Sequence, residues 1–409
     1  MGALSSLETR YGATNYQPLP VTLVRGEGVY VWDEDGRRYL DMMGAYSATS
    51  FGHCHPRLVD ALTQQARRLD TVSRAYFTDR LGPFLARACE LTGMDVALPA
   101  NGGAEAVETA LKAARKWAYK VKGVLHDRAE IIAAEGNFHG RTIAIVGFSS
   151  IAQYRDGFGP FPPGFKLVPY GDVAALEAAI TPNTAAFLIE PIQGEGGINV
   201  PPAGYLKEAE RICRARNLLL ICDEVQTGLG RTGRLLACQH DSVTPDGVTL
   251  GKALGGGLVP VSLFLARREV MNVFEPGDHG STFGGNPIAA AVGLAALDTL
   301  VDERLVERAA SLGAYMLSRL SAIKNPLVTE VRGRGLFAGI EVDATKIRAE
   351  LVVERLLRAG ILTRDTHRNT IRMAPPFIIE RAEIDWAVDQ IKRVLNEALE
   401  DTVEPLGAK

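Results

Sequence analysis

The chain predicts an α/β fold in which a mainly parallel sheet is covered by helices on both faces. The first observation behind this is a set of short apolar runs, at 130–134, 185–190, 218–222 and 261–266, which have the length of buried strands. The second is alternation: helical patterns, such as 205–216 between two of those runs, separate the strands, and strands joined by crossover helices pair in parallel. The third is where the polar, glycine-bearing segments fall. Residues 136–142, 190–195, 223–226 and Lys252 lie at strand carboxyl ends, where sheets of this kind gather their functional groups.

The elements follow in order. Residues 29–32 and 39–42 read as two strands joined through Asp33-Glu34-Asp35-Gly36-Arg37, a hairpin with Asp-Gly ahead of the return strand. His55-Pro56 opens a helix reaching about Leu69, 73–77 is a loop, and 95–99 is a strand ending in Asn101-Gly102-Gly103. A helix then covers 105–120, with Val107, Leu111, Ala114 and Trp117 or Ala118 on its buried face. Glycines at a helix N-terminus expose backbone N–H groups, and the helix dipole favours an anion there, so Gly102 and Gly103 form a candidate phosphate cup. The plainer alternative is a tight turn. After the core strands, a long helix is predicted from Pro287 past Gly313, followed by Val331-Arg332-Gly333-Arg334-Gly335-Leu336 and a strand at 337–342. A helix over 345–359, a short strand at 361–363 and a final helix over 384–399 complete the chain. No Pro/Gly/Ser-rich linker and no internal repeat separates these parts, so the domains are expected to be fused through long helices.

At 409 residues the chain is too long for one small core and predicts two or three domains. An apolar share of 46% with 23% charged residues belongs to a soluble globular protein, and a net charge of −3 gives no field that would attract nucleic acid or an anionic membrane. Residues 1–18 lack the apolar core of a secretory signal and the arginine-rich pattern of an organellar transit peptide. Ser6 formally completes a myristoylation pattern behind Gly2, but no basic patch accompanies it and it reads as chance. No run of about eighteen apolar residues exists to span a membrane, so a cytoplasmic location is expected. Five cysteines, Cys54, Cys89, Cys213, Cys222 and Cys238, show no Cys-x-x-Cys spacing, and Cys213 and Cys222 read as core thiols. His53 and His55 flank Cys54 without a third and fourth ligand nearby, so no metal is expected.

The chemistry concentrates in 217–257. The strand at 218–222 delivers Asp223 and Glu224 to its carboxyl end, and twenty-nine residues on (252 − 223) Lys252 stands among glycines and apolar neighbours. Burial disfavours an ammonium, and a neutral amine condenses with an aldehyde. Pyridoxal phosphate is the natural aldehyde, and it also needs a carboxylate at its ring nitrogen, which Asp223 would supply. Other readings compete. A phosphate loop needs four residues between its glycines and Ser or Thr after the lysine, whereas Gly247 and Gly251 enclose three and Ala253 follows. Residues 228–233 match the dinucleotide pattern Gly-x-Gly-x-x-Gly, but 223–227 separate them from the strand and no helix pattern opens there. An ordinary surface lysine is the remaining alternative on this stretch alone.

The motifs DEVQTG at 223–228, GKALGGG at 251–257 and HGSTFGGNP at 279–287 resemble the class III, fold type I pyridoxal-phosphate aminotransferases. With GHCHP at 52–56, GNFHGRT at 136–142, EPIQGE at 190–195 and IRMAPP at 371–376, the sequence is most similar to the ornithine aminotransferases, from about Tyr16 to the C-terminal helix. The resemblance implies a large domain (56–300) around a mainly parallel seven-stranded sheet, and a smaller α/β domain (301–409) joined by the N-terminal segment (1–55). The implied activity moves the terminal amino group of ornithine to 2-oxoglutarate, giving glutamate 5-semialdehyde and glutamate. The neighbouring reading is a related enzyme acting on acetylornithine or 4-aminobutyrate. In a different class stands a nucleotide-binding oxidoreductase built on the glycines at 228.

The resemblance also implies roles. Lys252 holds the cofactor and shuttles the proton, Asp223 holds the ring nitrogen, Gln226 reaches the ring hydroxyl, and Phe138 and Val225 lie against the two ring faces. Thr282 corresponds to a hydroxyl that reaches the phosphate of a neighbouring subunit, so a homodimer or larger assembly is expected. Arg141 and Arg372 are carboxylate clamps, suited to this by their bidentate guanidinium geometry. Glu195 masks Arg372 while ornithine reacts, and Tyr46 and Phe77 complete the substrate site. Relatives usually carry Ser or Thr at the place of Gly102, and many carry Tyr at the place of Phe77; this chain lacks both hydroxyls.

Overall fold

The computed structural model describes residues 3–366 and 369–403. The N-terminal hairpin forms as expected: β1 (Leu23–Glu27), β2 (Tyr30–Asp33) and β3 (Arg38–Asp41) pair antiparallel. Asp33 builds the turn, its Oδ1 accepting the N–H groups of Asp35 (3.1 Å) and Arg37 (2.8 Å) and its Oδ2 the Tyr39 hydroxyl (2.7 Å). Such side-chain capture of nearby N–H groups is why Asp recurs in turns.

Seven strands make the central sheet: β4 (Val96–Ala100), β5 (Glu130–Ala134), β6 (Phe165–Val168), β7 (Thr184–Ile189), β8 (Leu219–Asp223), β9 (Gly247–Leu250) and β10 (Ser262–Ala266). Their order is β4-β10-β9-β8-β7-β5-β6. Successive residues of one strand serve opposite faces. Ile131, Leu188 and Ile221 enter a core with the helix Gly103–Trp117, while Ile132, Phe187 and Leu220 enter the larger core with the helix Tyr205–Ala215. Cover on both faces explains why these strands read as unbroken apolar runs. Cys213 and Cys222 are buried there as core thiols.

β5 to β9 are parallel, but β10 runs antiparallel to both of its neighbours. The connection from β9 to β10 spans only 251–261 and carries no crossover helix, and a short connection joins only antiparallel neighbours. The strands β6 and β9 were not among the apolar runs: Lys166, Thr249 and Gly247 interrupt them.

The C-terminal part contributes β11 (Val328–Arg334), β12 (Phe337–Val342), β13 (Ile361–Leu362), β14 (Asp365–Thr366) and β15 (Thr370–Met373). A second sheet has the order β11-β12-β15-β14, and β13 pairs in parallel with β3, so the N-terminal hairpin is extended by a C-terminal strand. The expected long helix from Pro287 is in fact two, Pro287–Asp302 and Leu305–Ser321. Arg304 between them is left-handed (φ 51), and the break lets the first helix pack on Pro56–Ala66 and Leu81–Thr92 while the second turns onto β11 and the helix Arg381–Val403. The helix expected over 345–359 begins later, at Ala349, because Asp343 holds Thr345 in a turn (N–H to Oδ1, 3.0 Å). The helix after Gly103 ends its regular part at Trp117, continues as a wider turn over Ala118–Lys122, and stops at Gly123 (φ 83).

Candidate active site

The carboxyl ends of β8 and β9, the start of the helix Gly103–Trp117 and the segment after β5 enclose a cavity of about 190 Å³. Its lining includes Gly103, Phe138, His139, Glu190, Asp223, Val225, Gln226 and Lys252. Lys252 sits at the first turn after β9 in a left-handed conformation (φ 46), which costs a side-chain-bearing residue free energy and is held here by the buried Gly251 and Ala253 to Gly255 around it. Loss of water around its amine lowers the Lys252 pKa, against smaller opposing contributions that include Glu195 and Asp223.

Asp223 lines the same cavity from the end of β8. Its Oδ1 accepts the Thr249 hydroxyl (2.8 Å) and the Val225 N–H (3.1 Å), and its Oδ2 accepts from His139 Nδ1 (2.6 Å). Burial opposes a charge on His139, but the hydrogen bond to Asp223 and the attraction of Asp223 and Glu190 prevail, and its pKa is raised. Glu190 lies behind them, accepting the N–H groups of Phe138 (2.9 Å) and Gly194 (3.4 Å). Burial lifts its carboxyl to about 7, helped by Asp223 and opposed by His139.

Gly102 caps the helix Gly103–Trp117 without any side-chain cap bond, and Gly103 and Ala104 line the cavity, so the positive end of a fifteen-residue helix faces the space. A Cβ on Gly103 would lie 2.7 Å from Val225 Cγ1, which makes this close approach of helix to β8 turn possible only for glycine. Gln226 is held the same way: a Cβ on Gly194 would sit 1.7 Å from its Oε1.

Arg372, on β15, reaches the site fully buried. Its Nη1 lies 2.9 Å from Glu195 Oε1, and its guanidinium carbon lies 4.9 Å from the centre of the Tyr46 ring. The contact is one of charge and not of aligned hydrogen bonds, because Nε, Nη1 and Nη2 all lack a hydrogen-bond partner among the described residues. Glu195 belongs to a loop whose backbone is tied down: Thr366 donates to its carbonyl, and Arg332 Nε (2.9 Å) and Nη2 (2.7 Å) donate to the Gly197 carbonyl. Any masking and unmasking of Arg372 therefore falls to the Glu195 side chain. Arg141 is exposed and lies over the rings of Tyr154 (3.6 Å) and Phe138 (5.3 Å).

Thus Tyr46, Phe138, Glu195, Asp223, Val225, Gln226, Lys252 and Arg372 are gathered by the fold around one cavity or its immediate rim. Phe77 and Thr282 are not: both are exposed on the surface of the chain, beside Tyr76 and Phe283, which are exposed too. Gly284 and Gly285 hold that surface against Pro99 and Arg74. Sequence reasoning assigned nothing to His139, Glu190, Thr249 or Tyr154. His139 and Glu190 stood inside the quoted motifs at strand ends, which was the available signal; Thr249 and Tyr154 had none. The glycines at 228–233 open no helix. They form a buried turn that carries Arg231, whose Nη1 donates to the carbonyls of Leu336 (2.9 Å) and Pro375 (2.6 Å) and whose Nη2 donates to Ser50 Oγ (2.6 Å). His53 binds Asp41 (2.8 Å), and among the described residues no group of three or more His, Cys, Asp or Glu is placed to hold a metal ion.

The donor set fits a phosphorylated aromatic aldehyde. An amine, a buried carboxylate, an uncapped helix N-terminus and the side chains of Phe138 and Val225 line the cavity, and the buried Arg372 guanidinium stands beside Tyr46, whose carbonyl accepts from the cavity's Gln226. The family model for class III aminotransferases matches residues 11–395, and the chain belongs to that family. The ornithine aminotransferase of Geobacillus sp. is 55% identical to it over 388 residues, covering 95% of this chain and 97% of that protein. A solved ornithine aminotransferase from Toxoplasma gondii, with pyridoxal phosphate at partial occupancy in its active site, has a TM-score of 0.95 at 47% identity, covering 98% of this chain and 95% of that one. The acetylornithine aminotransferase of Elizabethkingia anophelis has a TM-score of 0.87 at 45% identity, covering 96% of this chain and 98% of that one.

Proposed function

We propose that this chain is a pyridoxal-phosphate-dependent aminotransferase that moves the terminal amino group of L-ornithine to 2-oxoglutarate, giving glutamate 5-semialdehyde and L-glutamate. The observation that carries the choice of a terminal-amine donor is the Glu195–Arg372 pair (2.9 Å) within the same site as Lys252. An open Arg372 would seize the α-carboxylate of any amino acid and present its α-amine; masked by Glu195, it leaves the terminal amine of a diamino acid to enter.

When bound, pyridoxal phosphate supplies an aldehyde carbon that takes the amino group and a ring that draws electrons from the substrate carbon. Gly102 and Gly103 would receive its phosphate, with Phe138 and Val225 against its ring faces. Asp223, fixed by Thr249 and His139, would hold a proton on the ring nitrogen, and Gln226 would bond the ring hydroxyl. The Lys252 amine would hold the cofactor and then carry the proton, a task suited to an amine whose burial lowers its pKa. Arg141 would take ornithine's α-carboxylate or glutamate's side-chain carboxylate, Arg372 glutamate's α-carboxylate, and Tyr46 would pack beside the latter.

The exposed Phe77 and Thr282 support a homodimer whose partner covers them and completes the phosphate site. The chain divides into 1–55, 56–300 and 301–409, a division consistent with the pairing of β3 to β13 and the break at Arg304. Among the described residues no helix is long and apolar enough to cross a membrane, which accords with a cytoplasmic enzyme acting on small molecules.

The deciding experiment follows the visible absorbance of the reconstituted protein against ornithine, acetylornithine, 4-aminobutyrate and glutamate. Ornithine should discharge the absorbance fastest, and 2-oxoglutarate should restore it. Faster reaction with acetylornithine would move the assignment to the sister activity, which the missing hydroxyl at Phe77 and the Elizabethkingia likeness keep in contention.

A further inference from the structure

Tyr154 lies on the short helix Ala152–Arg155, outside every motif that marked the site. Its ring is directly under the Arg141 guanidinium, 3.6 Å from ring centre to the guanidinium carbon, and meets Phe138 edge to face at 6.1 Å and 81°. Among the described residues Arg141 has no carboxylate within ion-pair distance, and its guanidinium lies over the rings of Tyr154 and Phe138. A guanidinium stacked on a ring keeps its N–H donors in its own plane, pointing outward along the edge, where a carboxylate meets two of them at once. Burial raises the Tyr154 phenol pKa, with Arg141 opposing and Glu195 and Tyr46 adding to the rise.

We propose that Tyr154 is a positioning residue for substrate carboxylates: its ring face holds the Arg141 guanidinium flat and edge-on to the cavity, and its edge fixes the Phe138 ring beneath it. The inference rests on the reading of Arg141 as a substrate clamp and adds the group that aims it. An arginine on the surface samples many rotamers, and binding a carboxylate with it costs the entropy of ordering that side chain; a stacked guanidinium is already ordered. The stacking face does this, and phenylalanine at this position keeps that face.

The test uses the reconstituted holoenzyme with Tyr154→Leu and Tyr154→Phe. Glutarate, a dicarboxylate with no amine, is titrated at equilibrium, and steady-state constants are measured with ornithine and 2-oxoglutarate. Tyr154→Leu should weaken glutarate binding and raise both KM values by about tenfold while kcat stays within about twofold, and Tyr154→Phe should remain within about twofold of wild type throughout. Unchanged glutarate affinity in Tyr154→Leu, or a loss in Tyr154→Phe as large as that in Tyr154→Leu, overturns the proposal. So does a fall of kcat without a change in KM, which would be the mark of a packing role. If the wild-type holoenzyme fails to transfer the ornithine amine, the substrate reading falls by itself, and the glutarate titration still reports on the Tyr154–Arg141 pair.

Discussion

Lys252 joins two unfavourable features, a left-handed backbone and a desolvated amine, and neither would persist in a residue with no task. Lys252→Ala removes the amine and eases nothing in the backbone, so the fold should survive with turnover below about 1% of wild type; an ornithine turnover well above that, with a normal melting curve, would end its assignment. Glu195→Ala should leave Arg372 without its counter-charge. The glutamate half-reaction should then quicken severalfold and the ornithine half-reaction slow, read by stopped-flow absorbance, whereas equal slowing of both would reduce the pair to a static brace. Glu190 makes a prediction in pH. Its carboxyl is raised from 4.5 to about 7, so between those values the folded protein keeps a proton that the unfolded chain has released. Stability from this group is fully present below about 4.5 and declines as pH rises through about 7. In cofactor-free protein, the melting temperature of Glu190→Gln relative to wild type should therefore climb from pH 5 to pH 8, and a flat difference would show that the group does not titrate in that window.

Among the elements, the helix Gly103–Trp117 matters most, because it brings backbone N–H groups to the cavity only as far as β8 allows it near. At its first residue the close contact is Gly103 against the stiff, branched side chain of Val225. Gly103→Ala should push helix and turn apart, lowering affinity for pyridoxal phosphate by about tenfold, since overpacking costs on the order of 1–3 kcal/mol. Adding Val225→Ala makes room for the new methyl and should restore part of that affinity, measured by equilibrium titration of the apoprotein; no recovery would mean that Gly103 is needed for its backbone alone. The break at Arg304 shows the same dependence on surroundings, since two apolar surfaces in different directions outweigh a continuous helical pattern.

At the scale of the whole molecule, the site is a junction. Tyr46 comes from the N-terminal segment, Asp223 and Lys252 from the central sheet, and Arg372 from β15. The junction is fastened by Arg231, which has hydrogen bonds to Ser50, Leu336 and Pro375 and stacks at 4.6 Å on Phe377. Burial lowers its pKa to about 9, with Asp41 opposing. Away from the junction, Tyr76, Phe77 and Phe283 are large apolar side chains exposed on the surface of the chain. In solution the protein should have about twice the chain mass of 44.1 kDa, and Thr282→Val should weaken cofactor binding without changing that mass. A fully active monomer in sedimentation would remove Thr282 and Phe77 from the site.

The strands β5, β7, β8 and β10, the hairpin at Asp33, and the placing of Asp223, Lys252, Gly103 and Glu195 beyond strand ends were all legible in the sequence, because they depend on local pattern: apolar runs, turn residues and glycines next to polar groups. What lay outside it depends on partners far along the chain. The direction of β10 was decided by the shortness of its connection, the break at Arg304 by two packing surfaces, and the weak strands β6 and β9 by neighbours that supply the burial their own residues do not. The His139–Asp223–Thr249 contacts join residues 84 and 26 positions apart, and Tyr154 meets Arg141 only because its short helix folds back over the segment after β5. Sequence carries residue type and local spacing; the aim of a guanidinium and the pKa of a buried carboxyl are set by whatever atoms the closed fold places around them.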